Sequence, residues 1–382
     1  MTSPARQAEA DRAAVAFQAA LTQIGAGTIA DALTMWGDVP ATARASTSAA
    51  WLRRAITMVM TRRRVSRDLA RAYYRLARAL RTGTTVADPY HPEPTYITLD
   101  VLRREFAELA GGPAERSPEG RSEPSGTSTP ETPSSAASSE SVEAGEGDSP
   151  SADQESEDEL DRVLVEEIDG LREAEEEIER EAEQELRIAL EALGPNNLQK
   201  KVDAIDGGRT ADEVDGLRDE AHRQAGSRQA AAAERIAMNG GRSTVWNHAS
   251  RDRRAIGYIR LSRSGTPCGW CAMLISRGFV RSDAYRSQRA AGPTLPQLES
   301  GEYADGDKYH DNCHCYAEPV FSNEQYDSPA YELNRRYAEL WPKVTRGLSG
   351  KAAVSAWRRF IRQEQKTAAQ EARRQTPNVQ EA

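Results

Sequence analysis

The stretch from Gly112 to about Asp158 sets the first limit on how this chain can fold, because almost nothing in it can enter a core. Ser, Pro, Gly, Thr and Glu fill it, and such a composition cannot bury enough apolar surface to offset the entropy of ordering the backbone. It reads as a disordered linker over 113–158, with folded material on both sides. The rest of the 382 residues is also lean in apolar matter. Aromatics are 6%, charged residues 29%, and mean hydropathy is −0.70. That balance favours helices with modest cores over one thick-cored globule, so the expected fold class is mainly α.

Before the linker, residues 1–112 read as an N-terminal helical domain. Ala8 to Leu21 is alanine-rich. From Ser48 to Thr82, Trp51, Leu52, Ile56, Val59, Val65, Leu69, Tyr73, Leu76 and Leu80 recur at three- and four-residue steps, the spacing of one apolar helix face. A third, shorter helix is expected after Thr98, a suitable N-cap, ending at Gly111-Gly112-Pro113. After the linker, residues 159–224 read as an acidic helical segment. Leu160, Leu164, Ile168, Leu171, Ala174, Ile178, Ala182, Leu186 and Leu193 form one narrow stripe, predicting a single long helix from Leu160 to Leu193 that Gly194-Pro195 ends. Such a stripe packs on the rest of the chain or zips against a second copy, which makes self-association through 160–193 one expected partner. Ala211 to Met238 is helical, with a break expected at Gly240-Gly241 and a new helix from Arg242. Strands are expected at 255–262 and 315–321, a short helix between Cys271 and a stop at Gly278, and helices over 328–340 and 351–374.

Charge is distributed unevenly. The net charge is −9, but Glu140 to Glu191 holds 22 acidic residues against four arginines, a local net of −18, so the remainder carries +9. Ten arginines stand between Ser48 and Thr82 against Asp68 alone, and the C-terminal helices at 323–382 are also basic. Arg62, Arg63, Arg64, Arg358 and Arg359 are therefore candidate contacts to the phosphates of double-stranded DNA. The competing reading is that these faces pair with the acidic helix of the same chain.

The chain has four cysteines, arranged as Cys268-Gly-Trp-Cys271 and, about forty residues on, His310-Asp-Asn-Cys313-His-Cys315. A Cys-x2-Cys knuckle aims two sulfurs at one tetrahedral ion, and the second piece offers two more sulfurs and two imidazoles. A soft, sulfur-rich donor set selects zinc over magnesium or calcium. The expected ligands of a structural zinc ion are Cys268, Cys271, Cys313 and Cys315, with His310 the substitute if the crowded Cys-x-Cys supplies one sulfur. Packed thiols or a disulfide-closed hairpin are the alternatives. The N-terminus lacks a basic region followed by an apolar run, and the longest apolar stretch, 55–60, is far short of the ~20 residues that span a bilayer. A soluble chain with no membrane partner, in a reducing compartment, is expected.

Other chemistry fits the cluster less well. Pro267-Cys268-Gly-Trp-Cys271 matches half of a zinc deaminase signature, but the His-x-Glu that chemistry needs occurs upstream only at His91, across the linker; His222 and His248 lack the Glu. A thioredoxin-like role needs a βαβ setting that the pattern does not offer. No Gly-x-Ser-x-Gly or His-Glu-x-x-His is present.

Three runs of residues carry a resemblance: Arg242-Ser-Thr with Asn247 and Tyr258-Ile-Arg-Leu; Thr-Pro-Cys268-Gly-Trp-Cys-Ala-Met-Leu; and Tyr-His310-Asp-Asn-Cys-His-Cys-Tyr-Ala-Glu-Pro319-Val-Phe. Over about 225–322 the chain resembles the Mu F-like minor head proteins of tailed bacteriophages, in the form common among phages of actinobacteria. The resemblance implies a small α+β module stapled by the Cys/His cluster. It also implies a few-copy component of the procapsid and virion, present in the host cytoplasm during assembly and associated with portal, capsid and scaffold proteins and with DNA packaging or ejection. A capsid maturation protease acting on coat or scaffold is the enzymatic alternative within that resemblance, and a DNA-binding internal head protein is the other.

Overall fold

The computed structural model describes residues 3–43, 45–111, 161–205, 208–262, 267–278, 313 and 315–375. The expected linker at 113–158 and His310 lie outside the described residues. Within them the protein is mainly α-helical, with two small sheets.

Three long helices form the body. Helix α1 (Pro4–Gly37) opens on Ser3, whose hydroxyl accepts from the Arg6 amide at 3.4 Å, with proline in its first turn. Helix α2 (Ala49–Thr82) buries the expected stripe, Val65 excepted, which is exposed. Phe17 of α1 stacks on Tyr73 of α2 at 4.4 Å between ring centroids. By length and composition α1 also passes as a membrane span. Its Ala10, Ala14, Phe17, Leu21 and Trp36 are buried against the rest of the protein, while Val15 and Leu33 are exposed.

The third long helix corrects the sequence reading. No break falls at Gly240-Gly241, and no new helix starts at Arg242: one helix, α6, runs from Ala211 to Arg251, opened by a Thr210–Glu213 capping box. The two glycines serve close packing. A Cβ on Gly240 would lie 2.4 Å from the Arg63 carbonyl oxygen, and one on Gly241 would lie 2.8 Å from that of Ser66. Ser66 fills the contact, its hydroxyl donating to Ala237 O at 2.5 Å and accepting from the Gly241 amide at 3.1 Å. This helix also crosses the expected boundary between residues 224 and 225.

Two strands before the linker, β1 (Thr84–Val86) and β2 (Tyr96–Thr98), were not expected. They flank β3 (Arg162–Glu166), which pairs parallel with β1 and antiparallel with β2. Leu160–Leu193 is thus not one helix. Leu164 lies in a central strand, and helix α4 (Leu171–Leu193) begins only after Gly170, whose φ of 68° suits glycine. The stripe misleads because Leu160, Leu164 and Ile168 stay in step with the helix that follows. From Leu171 on, the stripe lies inward: Leu171, Ile178, Ala182 and Leu186 are buried and Ala174 and Leu193 half-buried, with the helix packed chiefly against α6. Of the two packings weighed for it, the intramolecular one is present. Helix α5 (Pro195–Asp203) follows at once. Helix α3 (Leu99–Ala110) begins after Thr98 as expected, although that side chain makes no capping bond.

Arg78 ties these parts across the linker. It is 1% exposed, and its guanidinium donates to Asp252 (2.6 and 3.2 Å), Glu166 (2.5 Å), Thr84 Oγ1 (2.8 Å) and Thr85 O (2.7 Å). The segments on either side of residues 112–160 therefore share one body.

The expected strands near the cysteines are present. β4 (Gly257–Leu261) pairs antiparallel with β5 (Tyr316–Val320), with Arg260 opposite Ala317. Ile259, Leu261, Tyr316 and Val320 join the core that α1 and α2 build. Helix α7 (Gly269–Ile275) starts directly after Cys268 and carries Cys271 in its first turn, giving way to Gly278 at φ 68°. Helices α8 (Asn323–Asp327), α9 (Glu332–Val344) and α10 (Gly350–Gln375) complete the described chain.

Candidate metal centre

The knuckle forms because Cys268 is the N-cap of α7: its Sγ accepts from the Cys271 amide at 3.3 Å, which turns both side chains to the same end of the helix. Cys313 and Cys315 arrive at the start of β5. The sulfurs of Cys271, Cys313 and Cys315 all lie within 4.8 Å of one another, and Cys271 Sγ is 3.4 Å from Cys313 Sγ. All three residues are buried, Cys268 is half-buried, and none of the four is in a disulfide. Both sulfurs of the Cys-x-Cys therefore reach the cluster despite their crowding.

Two arginines that the sequence reading did not assign to the site stand beside these sulfurs. Arg242, from α6, donates to the Cys313 carbonyl, and Arg260 Nη1, from β4, lies 3.9 Å from Cys271 Sγ. Both are almost fully buried. Both belong to the first run of the phage resemblance, but only the fold places them beside the sulfurs. The Cys313 thiol is held well below its usual range. It accepts hydrogen bonds from Cys271 and Cys315, and both arginines favour its thiolate against the opposing effect of burial. Cys271 is pushed up, first by its hydrogen bond with Cys268 and then by those with Cys313 and Cys315. Cys315 is also pushed up: its contact with Cys271 works the other way, but hydrogen bonding to Cys313 and burial outweigh it. The cluster thus favours one thiolate with the other thiols hydrogen-bonded around it.

The other sequence candidates have separate fates. Arg63 is buried and bonds Glu179 at 2.9 Å and Ile236 O at 2.8 Å. Arg62 pairs with Asp31 at 2.6 Å, while Arg64 is exposed. Arg358 and Arg359 are exposed on α10. His222 is packed against Trp36, with Nε2 2.6 Å from Val39 O, and His248 is buried beside Tyr74.

A family model described as VG15 protein matches residues 207–344, a span that takes in α6, β4, α7, β5 and the cysteine centre. Among curated proteins, the Gene 15 protein of Mycobacterium phage L5 is 31% identical over 105 residues. The likeness is to a bacteriophage protein. It covers 22% of this chain and 35% of that relative, so the chain spans about a third of the relative's length. No solved structure matches. The phage part of the expectation is thereby supported, in a span that includes the residues on which the resemblance rests.

Proposed function

We propose that this chain is a structural minor head protein of Mu F-like type in a tailed bacteriophage, carried in the virion and docking on portal and capsid proteins during head assembly. The observation that carries the reading is the module β4–α7–β5 itself. The knuckle, the Cys-x-Cys and the Pro319 strand meet in one place, inside the span 207–344 that the VG15 protein family model matches. Quantitative mass spectrometry of purified heads tests it. A few copies per head, and co-purification with portal, are expected; absence from both procapsids and virions overturns it.

Zinc is proposed as the ion of the cysteine centre. A tetrahedral zinc–thiolate shell at ~2.3 Å sets its sulfurs roughly 3.8 Å apart, close to the spacing of the three buried ones. The donors are soft, and Arg242 and Arg260 balance the negative charge that several thiolates would bring to a buried site. Cys271, Cys313 and Cys315 would hold the ion, with the fourth ligand from Cys268 or His310. A bound zinc ion supplies a redox-inert crosslink there. The protein's own residues do the rest: α7 orients the knuckle, β5 presents the Cys-x-Cys, Arg242 holds the Cys313 carbonyl, and Arg260 stands beside the Cys271 sulfur.

A further inference from the structure

The two basic segments look alike in sequence and are used in opposite ways. On α2 the arginines are largely consumed. Arg63 and Arg67 pair with Glu179 and Glu175 of α4, Arg71 with Asp68 and Glu175, Arg75 with Glu93 and Glu105, Arg78 with Asp252 and Glu166, and Arg81 with Asp11. On α10, Ala353, Trp357 and Ile361 face inward, while Lys351, Arg358, Arg362 and Lys366 recur at steps of seven, four and four, with Arg359 beside them. All five are exposed and share one face. The acids of this helix lie on its other side: Glu364 and Glu371 line the cleft toward α9 with Tyr337 and Ile361, and Glu364 is paired with Arg336.

We propose that this face of α10 docks on the phosphate backbone of double-stranded DNA. Its charges extend over about 22 Å of helix, a linear array that complements a duplex without reading bases. The chain's net charge of −9 repels a polyanion overall, so attraction has to come from such a local face. An acidic protein segment is the competing occupant. Within the chain, the acidic helix α4 is held elsewhere: it packs on α6, with Glu175, Glu179 and Glu185 paired to Arg67, Arg63 and Arg235, although its other glutamates are exposed. The cysteine module seats one edge of this face, at Arg358, and leaves the rest of it exposed. A Cβ on Gly269 would lie 3.1 Å from Arg358 Cα, the Trp270 ring centroid is 5.9 Å from the Arg358 guanidinium, and Gln365 Nε2 donates to Pro267 O at 3.1 Å. The knuckle between Cys268 and Cys271 is thus the seat of the basic helix. This surface is independent of the portal-docking reading and stands or falls separately.

The test is fluorescence anisotropy of the full chain with a labelled duplex of about 25 base pairs across a salt series. Binding should weaken steeply with salt. Replacing Arg358, Arg359 and Arg362 together by Gln should lower low-salt affinity at least about ten-fold and reduce the log–log salt slope by about 0.9 per lost phosphate contact. Arg62→Gln with Arg64→Gln on α2 should change little. These are surface positions, and matching circular dichroism and melting curves establish that the variants are folded. No salt-dependent binding by the wild type overturns the proposal, as does equal loss in the α2 variant. Capture of an oligoglutamate peptide without capture of DNA also overturns it, in favour of an acidic segment as the occupant.

Discussion

The core built by α1, α2 and α6 and the core around the cysteines are held together by different means. The first buries alanines, leucines and aromatics along three helices of more than thirty residues each, and locks them with charged networks such as Arg78–Asp252–Glu166. The second has ten buried residues among those described, and three are cysteines. Trp357, Ile361, Tyr337 and α7 supply the rest, and Trp357 makes edge contacts with Tyr337 and Trp341 at 5.7 and 5.2 Å. A core this small gains little from area alone. The contrast teaches that the sulfurs act where apolar burial is thinnest.

The sharpest way to break this contrast is Cys271→Ser. With a structural ion, binding energy is folding energy, so the variant should lose hydrogen-exchange protection across α7, α9 and α10 while α1, α2 and α6 keep theirs. Uniform loss throughout would mean that the two cores are one cooperative unit. Next in size is Arg78→Ala, which leaves the buried Asp252 carboxylate with the Tyr74 hydroxyl and the Arg254 amide but no cation, and should cost about 3–5 kcal/mol in urea unfolding.

A pH effect of similar size belongs to the helical body. Burial holds the His248 imidazole down to about 4, with nearby Arg71 also lowering it, against the opposing bond to Thr244 O at 2.9 Å. The unfolded chain protonates this group near pH 6.5, so between about 6.5 and 4 the unfolded state binds more protons. Stability then falls as pH falls, by up to about 3 kcal/mol from this group. Unfolding curves of the wild type and His248→Gln at pH 7.5 and 5 should converge at the lower pH; parallel curves would remove the effect. Smallest is Gly240→Ala. The new methyl meets the Arg63 carbonyl, and overpacking outweighs the gain in helix propensity, for a net loss of about 1–2 kcal/mol in the same assay.

Legibility in the sequence followed the strength of local signals. The long period of α2, the cysteine spacing and the two strands of the module were readable because each repeats over many residues or uses a rare residue type. Gly240 and Gly241 read as a break because their reason for being there is α2, which lies far away in sequence. The strand β3 was hidden inside a stripe that fits a helix equally well, and its partners β1 and β2 are three residues each. The basic run on α2 suggested a nucleic-acid face, but its arginines meet acids drawn from residues 11 to 252, pairings that exist only in three dimensions. For the site, the three buried sulfurs were named in advance, whereas Arg242 and Arg260 became visible only once α6 and β4 were placed beside them.

The proposed zinc would make the cysteine centre a metal-held staple for α7, α9 and α10. The direct measurement is zinc content of the full chain, purified under reducing conditions and without added metal, by plasma mass spectrometry. About one zinc per chain is expected, falling to background in Cys313→Ser with release of the module's exchange protection. A wild-type chain that is folded across α7 and α10 with no stoichiometric zinc, and that keeps that protection in chelator, would contradict it.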